Sequence, residues 1–320
     1  MTAKIASGVP AAATWLESMV GALANHSDRL DAINIFPVAD GDTGSNLYLT
    51  ARTAHDAVSV LESEDLGEYL ATAGRAGMES ARGNSGTLLS VFLIGFSEPL
   101  LGQPRLTGPL LAAALERGRV RAWSALSDPV PGTMLSVAES AARAASSAVA
   151  QSTADPSSRA NLREVLTAVQ EVTIQSVVST EDQLGALTKA KVVDAGAVGM
   201  LLVLDTLCAA LTGEEPEESR YTPLHGYGIQ DPHIHATSST EEGVEVMCTI
   251  TLGALEAATL RARLDSLGNS VIMSAVNGPN EAYRWRVHVH VPAAEDALEA
   301  IREAGEPVNV SITDLCTHSG

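Results

Sequence analysis

Cysteine is scarce: Cys208, Cys248 and Cys316 are all that 320 residues contain. They are too few and too scattered for a disulfide framework, so a reducing, cytoplasmic setting is expected. Aromatics make up only 3% of the chain, which leaves Ala, Leu and Val to build the cores and favours packed helices over a β-sandwich. Basic residues are also few. Twenty Lys and Arg stand against 39 Asp and Glu, and a net charge of −19 repels a phosphate backbone, which excludes nucleic acid as a partner. Long apolar runs are missing too. The longest, residues 195–211, is broken by Asp205 and falls short of the roughly 20 residues a membrane span needs, and no signal-peptide pattern precedes Pro10. Neither membrane insertion nor export is expected.

A length of 320 residues suggests two domains at roughly 150 residues each. Apolar residues recur at helical spacing up to about residue 213 and predict eight helices, at 10–32, 45–62, 66–82, 85–98, 108–124, 134–150, 160–179 and 197–212. Residues 1–213 therefore read as a mainly α domain, an eight-helix up-and-down barrel or bundle. Residues 214–243 are polar, His-bearing and contain prolines, and read as a linker. Beyond them the period changes from 3.6 to 2. Strands at 244–252, 270–276, 283–291 and 307–312, with helices at 255–267 and 294–304, give the order β-α-β-β-α-β. Residues 244–320 thus read as a ferredoxin-like α+β domain with a candidate metal site.

Four segments carry the candidate chemistry: Asn34–Asn46 with Asp40-Gly-Asp42-Thr43-Gly44-Ser45, then Arg82-Gly83-Asn84-Ser85-Gly86, then Val130–Met134 with Thr133, and Val193-Asp194-Ala195-Gly196. Each opens a predicted helix. They join helices one and two, three and four, five and six, and seven and eight, and in an up-and-down bundle all such connections lie at one end. Helix starts present unpaired N–H groups and the positive dipole pole, so several converging starts suit a polyphosphate. Asp40 and Asp42, with Asn34 near, offer hard oxygen ligands to Mg²⁺. An EF-hand does not fit, because counting from Asp40 puts Gly44 at the fifth position, Ser45 at the sixth and Ala51 at the twelfth. Neither a Walker A lysine nor a Rossmann glycine pattern follows a strand. The plain alternative makes Asp40, Ser85, Thr133 and Asp194 helix caps and the glycines turn residues.

The first, second and fourth of these segments, in this order, resemble the nucleotide-binding L domain of dihydroxyacetone kinases and, more closely, the ATP-binding subunit of bacterial fatty acid kinases, over about residues 10–315. The resemblance implies an eight-helix barrel with ATP at one end and Mg²⁺ on Asp40 and Asp42. It also implies phosphates near Thr43, Gly44, Ser45 and Asn46 and near Gly83, Asn84, Ser85 and Gly86, with nucleotide contacts from Thr133, Met134, Asp194, Ala195 and Gly196. Asn34 falls near a third metal-ligating aspartate of dihydroxyacetone kinases. Arg82 is a candidate for the γ-phosphate, since a guanidinium matches phosphate geometry. Subunits of the fatty acid kinase type continue into a third domain, which these 320 residues do not include, so carrier docking and homodimer formation are not accounted for by the sequence in hand.

In the second domain His288 and His290 alternate on one predicted strand and share a face, while Cys248 lies on the strand expected beside it. Cys and two His bind Zn²⁺ with a fourth position left open, and the resemblance associates Cys248, His288 and His290 with metal. His225, His233, His235, Cys316 and His318 read as solvated or terminal residues. The function expected is an ATP- and Mg²⁺-dependent kinase that phosphorylates a fatty acid held by a separate fatty-acid-binding carrier protein. One alternative is part of a dihydroxyacetone-type kinase; the other is a nucleotide-binding scaffold or sensor without turnover.

Overall fold

The computed structural model describes residues 7–214, 218–227, 243–276 and 283–314. Its first part is a ring of eight long helices: α1 (Val9–Ala32), α2 (Thr43–Val58), α3 (Leu66–Ser80), α4 (Gly83–Ser97), α5 (Gly108–Ala125), α6 (Met134–Gln151), α7 (Arg159–Val178) and α10 (Ala195–Thr212). Each packs on the next, and α10 packs on α1 to close the ring. Local chemistry sets the starts. Asp65 caps α3 by accepting from the N–H groups of Gly67 and Glu68, while Thr107, Thr133, Ser158 and Asp194 cap α5, α6, α7 and α10. Two short helices, α8 (Thr180–Gln183) and α9 (Gly185–Ala190), lie between α7 and α10. They are too short to show a period, so the sequence does not predict them.

The core is built from the expected small and branched residues. On α6 the inward face is Leu135, Ala138, Ala141, Ala142 and Ala145, all buried. Helix α10 is apolar and long enough to suit a bilayer by composition, but it is 89% buried inside the protein. It closes the ring through Trp15 of α1, whose indole N–H donates to the Val203 carbonyl at 3.0 Å. The one carboxylate within α10, Asp205, is 1% exposed and is held by Arg220 at 2.9 Å and the Tyr221 hydroxyl at 3.0 Å. A buried carboxylate requires such partners. Residues 218–227, expected to be linker, therefore strap the ring. Arg220 also donates to the Gln170 carbonyl on α7 at 2.6 Å, the Tyr227 hydroxyl meets His26 Nδ1 on α1 at 2.5 Å, and Leu224 and Tyr227 are buried.

The second part has strands β1 (Val244–Leu252), β2 (Asn269–Val276), β3 (Tyr283–Val291) and β4 (Val308–Asp314), with helices α11 (Ala254–Leu267) and α12 (Ala294–Ala304). The sheet order is β2-β3-β1-β4, antiparallel throughout, which is the ferredoxin-like arrangement. Val246, Cys248, Ile250 and Leu252 of β1 and Val287, Val289 and Val291 of β3 form a core with Leu260, Leu264, Ala297 and Ile301. The other face reaches the helical ring through β2, where Ile272 joins the ring's own core and bridges to Leu126. Arg261 of α11 clamps the contact by donating to Ser127 Oγ and the Ala125 carbonyl, both at 2.8 Å, and Ser127 N–H donates to the Val271 carbonyl at 3.4 Å.

Close helix approach fixes the glycine at residue 44. A Cβ there would overlap the Ser27 backbone of α1. Gly44→Ala should therefore cost about 1–3 kcal/mol, as overpacking does, whereas Gly21→Ala, with nothing within 4 Å of its added methyl, should be neutral or stabilising by up to about 1 kcal/mol. Paired thermal melts of the two variants check this, and equal melting temperatures would contradict it.

Candidate functional site

Where the ring meets the sheet domain there is a cavity of about 590 Å³. Thr43, Asn84 and Ser85, Thr133 and Met134, and Asp194 and Gly196 line it together, so the four connections predicted to share one end do so. The second domain adds a wall made of Asp265, Gly268, Asn269, Ser270 and Val271, and the α5–α6 connection adds Leu126, Ser127, Asp128 and Val130. Apart from Val130, local sequence singles out none of these. The α11–β2 corner carries no motif, and only the docking of two separately folded units places it there.

The four helix starts are not equivalent. At α2, Asp31 of α1 accepts from Gly44 N–H at 2.6 Å and Ser45 N–H at 3.2 Å through one oxygen, and from Ser45 Oγ at 2.7 Å through the other. The donors of Gly44 and Ser45 are thus engaged by protein, and Asp31, thirteen residues upstream, is a cap that local sequence does not reveal. Thr133 and Asp194 cap their own helices, as the plain reading of these residues has it, while Asp40 and Ser85 do not. Of these four starts, α4 alone has no side-chain cap among the described residues, and it begins at a Gly83 whose φ of +59° favours glycine. Its first turn turns Asn84 and Ser85 to the cavity, and Asn84 Oδ1 is buried with no hydrogen-bond partner among the described residues. The uncapped start is the best-supported place for an anion, while the open Asn84 Oδ1 acceptor suits a donor or a cation. Gly86 instead serves packing, since a Cβ there would overlap Thr50 Oγ1, whereas Asn46 lies against Gly83 and its side chain lowers the proton affinity of Asp42. Ala195 is buried and outside the cavity lining. Arg82 is exposed at the α4 start and also outside the lining, so the structure does not bring it to the cavity.

Asp40 and Asp42 sit just before Thr43. Asn34, 4% exposed, donates its amide to Asp40 Oδ1 at 2.5 Å. Burial, then the charge and hydrogen bond of Asp42, push the Asp40 carboxyl up to about 7, and burial pushes Asp42 up as well. Two half-buried carboxylates, both held above their ordinary range chiefly by desolvation, form a hard-oxygen pair that suits a divalent cation. The donor set fits Mg²⁺. Asp194 is pushed up to about 7 by burial alone, against hydrogen bonds from Ala197 and Gly196.

In the sheet domain the expected ligand set changes. His288 pairs with Met247 and His290 with Glu245, while Cys248 pairs with Val287. Partners in a ladder share a face, so Cys248 lies in the helix-covered core and away from the two histidines. Counting along two strands cannot fix this parity, because a one-residue slip in register reverses it. Glu245 takes the place expected for Cys248. The ligating atoms of Glu245, His288 and His290 all lie within 4.8 Å of one another and all three residues are buried, with His288 Nε2 at 3.5 Å from Glu245 Oε1. Burial pushes the His290 imidazole down to about 4, which keeps it neutral at physiological pH, and its Nδ1 has no hydrogen-bond partner among the described residues. Two imidazoles and a carboxylate fit Zn²⁺ with one open position. His225 bonds Glu181 at 2.6 Å. His233, His235, Cys316 and His318 lie outside the described residues.

Comparison with known proteins gives two family matches: the DAK2 domain over residues 37–209, and the FakA-like middle domain, of the fatty acid kinase type, over residues 241–319. Similar curated proteins include protein YloV of Bacillus subtilis, 29% identical over 303 residues, covering 92% of this chain and 53% of that protein. An uncharacterised protein of Staphylococcus epidermidis is 28% identical over 301 residues, covering 92% and 52%. The chain spans about half the length of the curated relatives it matches. Among solved structures, the dihydroxyacetone kinase of C. freundii is similar at 21% identity with a TM-score of 0.42, over 64% of this chain and 35% of that one.

Asp194 has a consequence for stability. Its folded value of about 7 lies above the ordinary 3.8, so between these values the folded state keeps a proton that the unfolded state has released. Stability from this group is complete below about pH 4 and is lost as pH rises through 7. Urea unfolding of the ligand-free protein at pH 5 and pH 8 should show lower stability at pH 8. Asp194→Asn, which keeps a capping oxygen, should narrow that difference; an unchanged difference would refute the assignment.

Proposed function

The chain belongs to the DAK2-domain family, and on that premise we propose that it is the nucleotide-binding part of an ATP- and Mg²⁺-dependent kinase whose acceptor is a fatty acid carboxylate presented by a separate fatty-acid-binding protein. One observation carries the reading: four connections far apart in sequence deliver Thr43, Asn84, Ser85, Thr133, Met134 and Gly196 to a single cavity, with the half-buried Asp40 and Asp42 just before Thr43. The match of residues 241–319 to a FakA-like middle domain of the fatty acid kinase type supports a fatty acid as acceptor. A cytoplasmic setting goes with this reading, since ATP is the phosphoryl donor.

The chemistry asks for position more than for acid or base. A fatty acid carboxylate is ionised at neutral pH, so no proton has to be removed before attack. One of its oxygens bonds to the γ-phosphorus while the bond from that phosphorus to the β–γ bridging oxygen breaks, giving acyl phosphate and ADP. Asp40 and Asp42 would hold Mg²⁺, with Asn34 fixing the Asp40 carboxyl, and the bound ion supplies neutralisation of phosphate charge. The first turn of α4 offers its uncapped N–H groups and Asn84 to the phosphates. Glu245, His288 and His290 would hold Zn²⁺ in the second domain.

With MgATP, a fatty acid and its carrier, the protein should form acyl phosphate, trapped with hydroxylamine as a hydroxamate, and Asp42→Asn should lower the rate on the order of a hundredfold or more. Binding of MgATP without product, with every carrier tried, would replace the kinase by a nucleotide-binding scaffold.

Metal analysis separates the two candidate zinc sets. Protein purified without chelator should carry about one Zn²⁺ per chain. Glu245→Gln and His290→Ala should lose it and Cys248→Ala should keep it; loss in Cys248→Ala alone would restore the thiolate as ligand.

A further inference from the structure

The two walls of the cavity differ in charge. On the ring side, the α4 start is uncapped and offers backbone N–H groups, and Thr43 adds a hydroxyl, both suited to phosphate oxygens. The sheet side presents the Asp265 carboxylate and the Asn269 amide, with Asp128 beside them on the α5–α6 connection. Carboxylates repel a polyphosphate at short range. They accept well from ribose hydroxyls, and an amide offers both a donor and an acceptor to the edge of a base. Between the walls the lining is apolar, from Leu88, Leu126, Met134 and Val271, which suits the faces of a planar ring.

Resting on the nucleotide reading above, we propose that the second domain completes the nucleotide site, its α11–β2 corner holding the nucleoside half of the ligand through Asp265 and Asn269. The corner is built to stay in place. Arg261 is tied to Ser127 and Ala125, Ser127 N–H to the Val271 carbonyl, and Ile272 is sunk into the ring's core. Ser270, which lines the cavity, has φ of +55°, a left-handed conformation that is strained for a residue with a side chain. A nucleotide bound this way spans both domains, with phosphates on the ring and nucleoside under the sheet.

The test titrates the whole chain with MgATP and with Mg²⁺-tripolyphosphate, which has the phosphates and no nucleoside. Asp265 and Asn269 are exposed side chains, so Asp265→Ala and Asn269→Ala should fold, as thermal melts will check. Each should weaken MgATP about tenfold, the worth of one good hydrogen bond. Tripolyphosphate should bind Asn269→Ala as it binds wild type, and Asp265→Ala equally or more tightly because a repelling charge is gone. Unchanged MgATP affinity in both variants, or an equal loss for both ligands, overturns the inference while leaving the nucleotide reading intact. A wild type that binds tripolyphosphate but gains nothing from the nucleoside also overturns it, and one that binds neither ligand overturns the nucleotide reading and this inference with it.

Discussion

Closure of the helical ring is the constraint on which the site depends. Once α10 is seated against α1, with the Trp15 indole bonded to Val203, the connections before α2, α4, α6 and α10 must share one end, because consecutive helices run in opposite directions. The close approach of α1 and α2 at Gly44 then brings Asp31 onto the α2 start. That contact satisfies the donors of α2 from within the protein. It leaves α4 as the open helix start of the four, and so makes this end of the ring asymmetric. The polar burial within α10 obeys the same logic, since Asp205 can lie in the core only because residues 218–227 return Arg220 and Tyr221 to it.

The acidic groups at this end carry stored proton affinity. Asp40, Asp42 and Asp194 are all pushed up from their ordinary range, chiefly by burial, in a chain whose net charge is −19. Burying acids without counter-charges is unfavourable to folding, and a divalent cation at the Asp40–Asp42 pair would offset it. Binding and stability are therefore coupled at this end of the molecule. The sheet domain gathers a second set of polar groups, Glu245, His288 and His290, beneath the surface and away from the helix-covered core.

Much of the fold is legible in the sequence because its signals are local. The period of 3.6 and the turn formers locate the eight long helices to within about two residues at most ends, the predicted 45–62 helix, which ends at Val58, being the largest departure. The change to a period of 2 locates all four strands. The end-sharing of four connections is also legible, because it follows from counting helices. What fails does so for identifiable reasons. Gly44 and Gly86 read as phosphate-facing, but neighbouring helices crowd both, and the donors of Ser45 are taken by Asp31. Cys248 reads as a neighbour of His288 and His290, but the register places it opposite Val287.

The sequence by itself determined the elements, their order and the gathering of the helix starts, because hydrophobic period, capping residues and an alternating chain direction are properties of neighbours along the chain. Tertiary structure alone decided which donors remain open, which face of the sheet each ligand takes, and that residues 265–271 form a wall of the cavity. Each of these rests on groups brought together from distant parts of the chain: Asp31 against Gly44, Glu245 against His290, Arg261 against Ser127. Local propensity carries no information about such pairings, and they follow only from how the helices and strands pack.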